Sequence, residues 1–226
     1  MIKIGLVGEA ASGKDTAAAY FCANYGLKRF ALADRMKYYF GLAKGYTGSY
    51  DEIVAKVNAK KDRAGLISYG QACRDAFGAD VWIEEMFADI DNYERKYYSE
   101  HGEHSPGYIV TDVRQQNEYA ALKDRGFVIV RISAPLEVRI ERMKARGDDF
   151  DPSFMRHHTE TFAQTVEPDF EVENGSKWAN LAHQCDYIIR ELKFWEKHPD
   201  IGPELRHAMR ESAKKYRDVY RRLSGK

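Results

Sequence analysis

Apolar residues follow two patterns along the chain. Short, nearly continuous apolar runs occupy residues 2–7, 28–33, 108–112 and 127–132, and a late run at 186–190 is the candidate for a last strand. Runs of this length are typical of strands that are buried on both faces. The segments between them have helical spacing, and strands that alternate with helices predict an α/β fold with a parallel sheet covered on both sides.

Helical segments follow the first strands closely. One helix follows the glycine-rich loop after the first strand and ends near Gly26. A second begins at Asp34, whose carboxylate we expect to cap it. Residues 67–98 have a mostly helical pattern with a break at Gly78. Residues 44–65 are polar and predict either a connection or a small helical excursion.

The length of 226 residues suits one domain, or one domain with a small inserted lid. We therefore expect residues 1–226 to form a single domain, with the lid at about 135–155. Residues 203–223 place apolar side chains along one helical stripe and predict a C-terminal docking helix. That helix either packs on its own domain or forms the contact of a homodimer.

Composition narrows the range of partners. The chain carries 35 basic and 35 acidic side chains, so its formal net charge is zero. It lacks the bulk attraction that nucleic-acid and membrane-surface proteins use, and we expect neither partner. The three cysteines form no Cys-x-x-Cys pair, which fits neither a disulfide framework nor a zinc cluster. We see no export or membrane-spanning segment and expect a cytoplasmic protein.

The segment after the first strand reads GEAASGKDT, residues 8–16, and has the Gly-x-x-x-x-Gly-Lys spacing of a phosphate-binding loop. Its place before a helix directs backbone N–H groups and the positive end of that helix toward a phosphate. Lys14 would reach the β- and γ-phosphates of ATP, and Thr16 the α-phosphate. The loop residues expected to hold the nucleotide are Gly8, Ala11, Ser12, Gly13, Lys14, Asp15 and Thr16.

Asp15 stands where such loops usually carry the Ser or Thr that holds Mg²⁺. A carboxylate can take that place because it is a hard oxygen ligand. Asp112 ends an apolar run, at the edge of the sheet where an acid can meet the same ion. We therefore predict Asp15 and Asp112 as metal ligands, with ATP and Mg²⁺ as cofactors. Because Asp15 adds negative charge beside the triphosphate, a basic residue should lie near it.

Arg139, Arg142 and Arg146 are spaced by three and four residues and share one helical face. Like charges at this spacing repel, so the stripe is mildly unfavourable unless an anion binds there. A triphosphate would supply that anion, which makes all three candidates for nucleotide binding and Arg142 a candidate catalytic residue. The alternative is a solvated charged face that also includes Glu141 and Lys144.

Other basic residues predict a second anion site. Lys37 follows the second strand, Arg74 lies in the segment SYGQACRD, and Arg114 comes two residues after Asp112. We expect these three cations to clamp the phosphate of an acceptor, although each also has an ordinary interpretation as a surface charge. Together with Lys14 and Arg142, Arg114 and Asp112 form the predicted catalytic set. The same segments add Asp34, Arg35 and Gln71 to the predicted acceptor site.

An acceptor that is itself a phosphate suits this set of residues. A phosphate monoester, with a second pKa of about 6, is mostly dianionic at neutral pH and needs positioning more than a general base. A hydroxyl acceptor would need a dedicated base. Asp34 could fill that role, so both classes of kinase stay open at this point.

Several segments together resemble the phage-type deoxynucleoside monophosphate kinase family: GEAASGKDT, FALAD, SYGQACRDAFGADVW, YIVTDVRQQNE, and HHTETF followed by ENGS. The resemblance covers roughly residues 1–190 and implies a P-loop kinase fold with five mainly parallel strands flanked by helices. It implies ATP phosphates at the loop and acceptor phosphate near Arg74 and Arg114. It also adds Asn117 and Glu118 to the acceptor site.

The chain departs from the family pattern at two places. Arg35 stands where the family usually has a proline, and Gln115 and Gln116 replace a Phe-Pro pair. These changes leave undefined which nucleobase the substrate carries. His158 and Glu160 match the family's late His and acid, without a role that the residues define.

The residues thus predict an ATP-dependent kinase that converts a (deoxy)nucleoside 5′-monophosphate to the diphosphate. One alternative is a P-loop kinase for another phosphorylated metabolite, such as phosphomevalonate. A second is a regulatory subunit that binds ATP without turnover.

Overall fold

A computed structural model describes residues 1–60, 62–147, 158–175, 178–202 and 204–212. Its sheet has five strands in the order β2, β3, β1, β4, β5, and all four neighbouring pairs are parallel. The strands are β1 Ile2–Val7, β2 Lys28–Phe30, β3 Gly107–Val110, β4 Val128–Ser133 and β5 Phe170–Glu173. The helices are α1 Lys14–Tyr25, α2 Leu32–Ala43, α3 Tyr50–Lys60, α4 Arg63–Phe77, α5 Val81–His101, α6 Gln116–Asp124, α7 Leu136–Ala145, α8 His158–Thr165 and α9 Trp178–Lys197.

The five-stranded parallel sheet flanked by helices confirms the predicted α/β fold. Its central strand is β1, which pairs with β3 on one side and β4 on the other. Because all strands run the same way, their carboxyl ends share one edge, and loops that follow β1, β3 and β4 meet there.

The position of the last strand was predicted wrongly. Residues 186–190 belong to α9, and the fifth strand is β5, Phe170–Glu173. Its side chains alternate between buried Phe170 and Val172 and exposed Glu171 and Glu173, so this edge strand has no continuous apolar run. The apolar residues of 186–190 instead fit the helical spacing that begins at Leu181.

The N-cap of α2 was also predicted wrongly. The helix begins at Leu32, so Asp34 lies in its first turn. Asp112 supplies the cap from the end of β3, because its carboxylate accepts hydrogen bonds from Leu32 N at 2.7 Å and Ala33 N at 3.1 Å. A contact between residues 80 positions apart has no local sequence signal.

The main core cluster lies on the face of the sheet that Val110 and Ile129 share. Met86 and Phe87 of α5 and Leu122 of α6 pack there, with little or no exposure. The excursion at 44–65 is largely helical, since α3 buries Ile53, Val54 and Val57. The predicted break near Gly78 separates α4 from α5.

The chain divides into two compact units, Met1–Ala182 and His183–Lys226. The first contains the whole sheet. In the second, α9 continues to Lys197 and residues 204–212 are helical, while residues 203 and 213–223 of the predicted docking helix lie outside the described residues. The single-domain organisation stays a prediction. In the described ranges, no helix has the length and apolar character needed to cross a membrane.

Candidate active site at the carboxyl edge of the sheet

The loop between β1 and α1 requires glycine at two positions. A Cβ on Gly8 would lie 2.3 Å from Ile132 O in β4, so the loop can approach the sheet only without a side chain. Gly13 has a φ of 102° and is the N-cap of α1. A Cβ there would lie 1.9 Å from Asn174 Nδ2. Both glycines therefore serve the close packing of the loop.

The first turn of α1 follows the loop directly and precedes the first hydrogen bond of the helix. The first hydrogen bond of the helix runs from Ala17 N to Gly13 O, at 3.0 Å. The amides that precede Ala17 in the helix have no intrahelical acceptor, which is the usual condition of a helix N-terminus. Asp15 and Thr16 are exposed on this turn. The arrangement suits an anion.

Lys14 lies across the loop. Its Nζ donates to Gly8 O at 2.6 Å and to Glu9 O at 2.9 Å. These carbonyls hold the ammonium group at the loop formed by residues 8–16, where it would lie close to an anion bound by the backbone amides.

The arginines of α7 lie against the loop. Arg139 Nε donates to Ala10 O at 2.9 Å, and Arg142 Nη1 donates to Ala11 O and Ser12 O at 3.2 and 3.3 Å. Arg139 is only 3% exposed. Arg146 is exposed, and its Nε donates to Arg142 O at 3.3 Å. Thus two of the three predicted arginines reach the loop, through its backbone carbonyls.

Arg142 also places a positive charge beside Gly13. Its Nη1 lies 3.8 Å from the position of a Cβ on Gly13, and its Nη2 donates to Asn174 O at 2.8 Å. The guanidinium therefore flanks the loop two residues before Asp15.

Sequence reasoning gave no role to Asn174 and Glu9. Asn174 is buried, and its Nδ2 donates to Ser12 O at 2.8 Å. The turn after β5 therefore packs against the loop and holds one of its carbonyls. Glu9 accepts from Arg139 and from Gln164 of α8. A signal was available for Arg139: it shares a buried helical face with Met143, and a buried arginine implies a buried acceptor.

Asp112 lies beside the start of the loop. Gly5 pairs with Val110 in the parallel register, which puts Asp112 at the level of Val7. Its carboxylate caps α2, as described above, and each oxygen keeps lone pairs beyond those used for Leu32 and Ala33. The predicted metal role and the observed capping role are therefore compatible.

The buried Glu118 contacts the backbone of Arg114 and lies within electrostatic reach of Arg74. Glu118 Oε2 accepts from Arg114 N at 2.6 Å and Gln115 N at 3.0 Å, completing a capping box at the start of α6. Burial raises the pKa of Glu118 to about 7, the Asp112 carboxylate adds to the rise, and the Arg74 guanidinium opposes it. Within the described residues, neither the Arg74 nor the Arg114 guanidinium has a hydrogen bond or ion pair.

The remaining predicted acceptor residues are paired with neighbours. Asp34 lies 3.0 Å from Arg29 Nη1 and 3.2 Å from Lys37 Nζ. Gln71 donates to Asp75 on the same helix at 2.8 Å. Two further pairs link segments: Asn117 Nδ2 to Asp80 Oδ1 at 2.7 Å, and Arg35 to Asp89 through two hydrogen bonds. Arg35 therefore joins α2 to α5.

A cleft of about 250 Å³ opens at the same edge, between the loop, β4 and α8. It is lined by Gly8, Glu9, Arg131, Ile132, Ser133, Ala163 and Gln164. The cleft gives the loop an open side.

The residues fit a Mg²⁺-bound nucleoside triphosphate. Gly8 and Gly13 let the loop pack closely on β4 and Asn174, and Ser12 Oγ is buried without a hydrogen-bond partner in the described part. Among described residues no cluster of three or more His, Cys, Asp or Glu could hold a metal alone. A magnesium ion here would depend on phosphate oxygens and water, as it commonly does.

Some predicted features lie outside the described residues. These are residues 148–155 of the predicted lid and the side chains of His158 and Glu160.

No protein-family model and no curated protein matches the chain. Among solved structures, TT1252 from Thermus thermophilus shares 17% identity at a TM-score of 0.49, covering 84% of this chain and 97% of that one. Shikimate kinase from Acinetobacter baumannii in complex with shikimate shares 12% at 0.49, covering 85% and 93%. Dephospho-CoA kinase from Campylobacter jejuni shares 12% at 0.42, covering 83% and 95%. Values this low do not bear on substrate or activity.

Proposed function

We propose that this protein is an ATP-dependent kinase that phosphorylates a (deoxy)nucleoside 5′-monophosphate to the diphosphate. The proposal is supported by the loop and Lys14 at the carboxyl edge of the sheet, together with Arg114 and Arg74 near Glu118. The loop and Lys14 would form one anion site, and the guanidinium groups of Arg74 and Arg114, which have no hydrogen bond or ion pair among the described residues, would form a second.

The donor half consists of the loop and the first turn of α1. Backbone amides would bind the β-phosphate, and Lys14 would exchange its bonds to Gly8 O and Glu9 O for phosphate oxygens. Asp15 and Asp112 would hold Mg²⁺ directly or through its waters. When bound, Mg²⁺ neutralises charge that develops on the β- and γ-phosphate oxygens.

The acceptor half consists of Arg114 after β3 and Arg74 on α4. Arg114 is exposed and comes two residues after Asp112, and the charge of Arg74 is felt at Glu118. A phosphate monoester has enough oxygens to accept a forked pair of hydrogen bonds from each of two guanidinium groups.

A phosphate acceptor is favoured over a hydroxyl acceptor by the surroundings of Asp34. Both of its carboxylate oxygens are paired with cations, Arg29 and Lys37. A general base in this position would lose, on taking a proton, the negative charge that pairs with both cations. A dianionic phosphate needs no such base.

In the reaction, an oxygen of the acceptor phosphate forms a bond to the γ-phosphorus of ATP. The bond between that phosphorus and the β,γ-bridging oxygen breaks, and ADP leaves with the electron pair. Lys14 would stabilise the charge on the transferred group, and Arg74 and Arg114 would orient the attacking oxygen.

The test is an assay of ADP release with ATP and Mg²⁺. Candidate acceptors are the four common deoxynucleoside monophosphates, their ribose forms, phosphomevalonate and dephospho-coenzyme A, with Lys14→Ala as control. We expect turnover on one or more nucleotides that is lost in Lys14→Ala.

The other outcomes separate the alternatives. Activity only on a non-nucleotide phosphate would keep the kinase reaction and replace the substrate. ATP binding without turnover on any acceptor would support a regulatory ATP-binding subunit.

A further inference from the structure

Glu9 is the point where two helices meet the loop. Its Oε1 lies 2.6 Å from Arg139 Nη1 of α7 and 3.1 Å from Gln164 Nε2 of α8. Arg139 Nε also donates to the neighbouring Ala10 O. Glu9 Oε1 and Ala10 O therefore connect α7 to the loop. The same Glu9 oxygen also connects α8 to the loop.

Arg139 is fully engaged by these contacts. It is 3% exposed, and a guanidinium removed from water is tolerated only when it is paired. To touch a phosphate, Arg139 would have to leave Ala10 O and the partly buried carboxylate of Glu9. Its place in the structure thus differs from that of an exposed phosphate ligand.

The loop has a strained backbone position between the two arginines. Ala11 has a φ of 59°, a left-handed conformation that costs free energy in a residue other than glycine. Arg139 holds the carbonyl before it, at Ala10, and Arg142 holds the carbonyl of Ala11 itself. Such a conformation persists only where its surroundings fix it.

We propose that Glu9 and Arg139 are positioning residues that keep the loop in its phosphate-binding shape without touching the nucleotide. The proposal rests on the proposed nucleotide-binding function. It assigns Arg139 a role different from that of a direct nucleotide ligand, which the arginine spacing alone suggests.

The first test is calorimetric titration of ADP and ATP into the wild type, Glu9→Gln, Arg139→Gln and the double variant. Each single change should raise both dissociation constants by the same factor, about tenfold, since a disordered loop must be ordered again on binding. The double variant should have a dissociation constant no higher than that of the single variant that binds more weakly, because the two residues act as a unit. Glu137→Gln and Lys144→Gln, which alter exposed charges on α7, are matched controls.

Two results would overturn the proposal. A loss in Arg139→Gln that is much larger for ATP than for ADP would identify a direct contact with the γ-phosphate. Losses that add in the double variant would show that the two residues act separately.

The second test needs no nucleotide. Amide hydrogen exchange in residues 8–16 should be about tenfold faster in Glu9→Gln than in the wild type, with exchange in β1, β3 and β4 unchanged. Unchanged exchange in the loop would contradict the proposal. Glu9→Gln keeps the side-chain volume, so this test stands even where Arg139→Gln does not fold. Failure of the wild type to bind either nucleotide would remove the proposed function, while the exchange result would still decide the positioning role.

Discussion

The donor and acceptor sides of the candidate site differ in how their polar groups are paired. On the donor side, Lys14, Arg139, Arg142 and Asn174 all hydrogen-bond to the loop. On the acceptor side, the Arg74 and Arg114 guanidinium groups have no such partner in the described part of the chain.

The helices that carry the arginines of the two sides, α7 and α4, also differ in how they are buried. The inner face of α7 packs Arg139 and Met143 against its surroundings, whereas α4 buries only Gly70 among its 15 residues. The donor site is therefore preorganised, and the acceptor site should gain order from the acceptor itself.

The largest effect should come from Lys14→Ala. Removing the ammonium group takes away a charge aimed at the transferred phosphoryl group, and we expect kcat to fall by about 10³-fold. Steady-state assay of ADP release measures it. An unchanged melting temperature would show that the loss is chemical, and a loss below tenfold would contradict the role of Lys14.

Gly13→Ala should destabilise the donor side through a steric clash. The new Cβ would meet Asn174 Nδ2, and the φ of 102° disfavours any side chain. We expect the free energy of unfolding to fall by about 3 kcal/mol, measured by urea denaturation.

The matched control is Gly126→Ala, which has a φ of 76° but nothing within 4 Å of the added carbon. It should cost about 1 kcal/mol, from the backbone alone. Equal losses in the two variants would mean that contact with Asn174 does not constrain the loop.

Glu118 should make the free energy of unfolding depend on pH. Because its pKa is raised from 4.5 to about 7, the folded state holds this proton more tightly than the unfolded chain does. Its contribution to stability is present below pH 4.5 and is lost as pH rises toward 7, by up to about 3 kcal/mol. Denaturation of the wild type and Glu118→Gln at pH 5 and 8 should show the wild type losing more stability. Parallel pH curves would argue against the raised pKa.

Arg114→Ala and Arg74→Ala should change the KM of the acceptor without changing the KM of ATP. Each should raise the KM of the acceptor by about tenfold to a hundredfold, since each removes a charge-assisted hydrogen bond, and should leave the KM of ATP unchanged. Arg95→Ala, which removes an exposed arginine of α5, is the control. A rise in the KM of ATP instead would place these residues on the donor side.

The smallest effect is expected on the outer face of α4. Ile67 and Phe77 are 71% and 75% exposed, so Ile67→Ser and Phe77→Ser should change the free energy of unfolding by less than about 0.5 kcal/mol. By contrast, the fully buried Ile53 should lose about 3 kcal/mol on Ile53→Ala. Large losses at the two exposed positions would show that α4 is held as firmly as α7.

Local signals explain what could be predicted. The loop, the break at Gly78 and the parallel sheet follow from glycine spacing and apolar runs, which are properties of adjacent residues. The last strand was misplaced because β5 is a short edge strand with exposed Glu171 and Glu173, while residues 186–190 are apolar within a helix.

Contacts between distant residues explain what could not be predicted. The capping of α2 by Asp112 and the support of the loop by Asn174 join positions that are 80 and 162 residues apart. The arginine spacing on α7 identified a face, but only the fold shows that Arg139 meets carbonyls and Glu9 within it.

The proposed function requires an acceptor site that binds a phosphate. The most direct measurement compares initial rates of ADP release with each deoxynucleoside and its 5′-monophosphate, in the wild type and in Arg114→Ala. We predict turnover only with the phosphorylated member of a pair, and a higher KM for it in Arg114→Ala. Turnover with the unphosphorylated nucleoside, unaffected by Arg114→Ala, would contradict the account and return Asp34 as a candidate base.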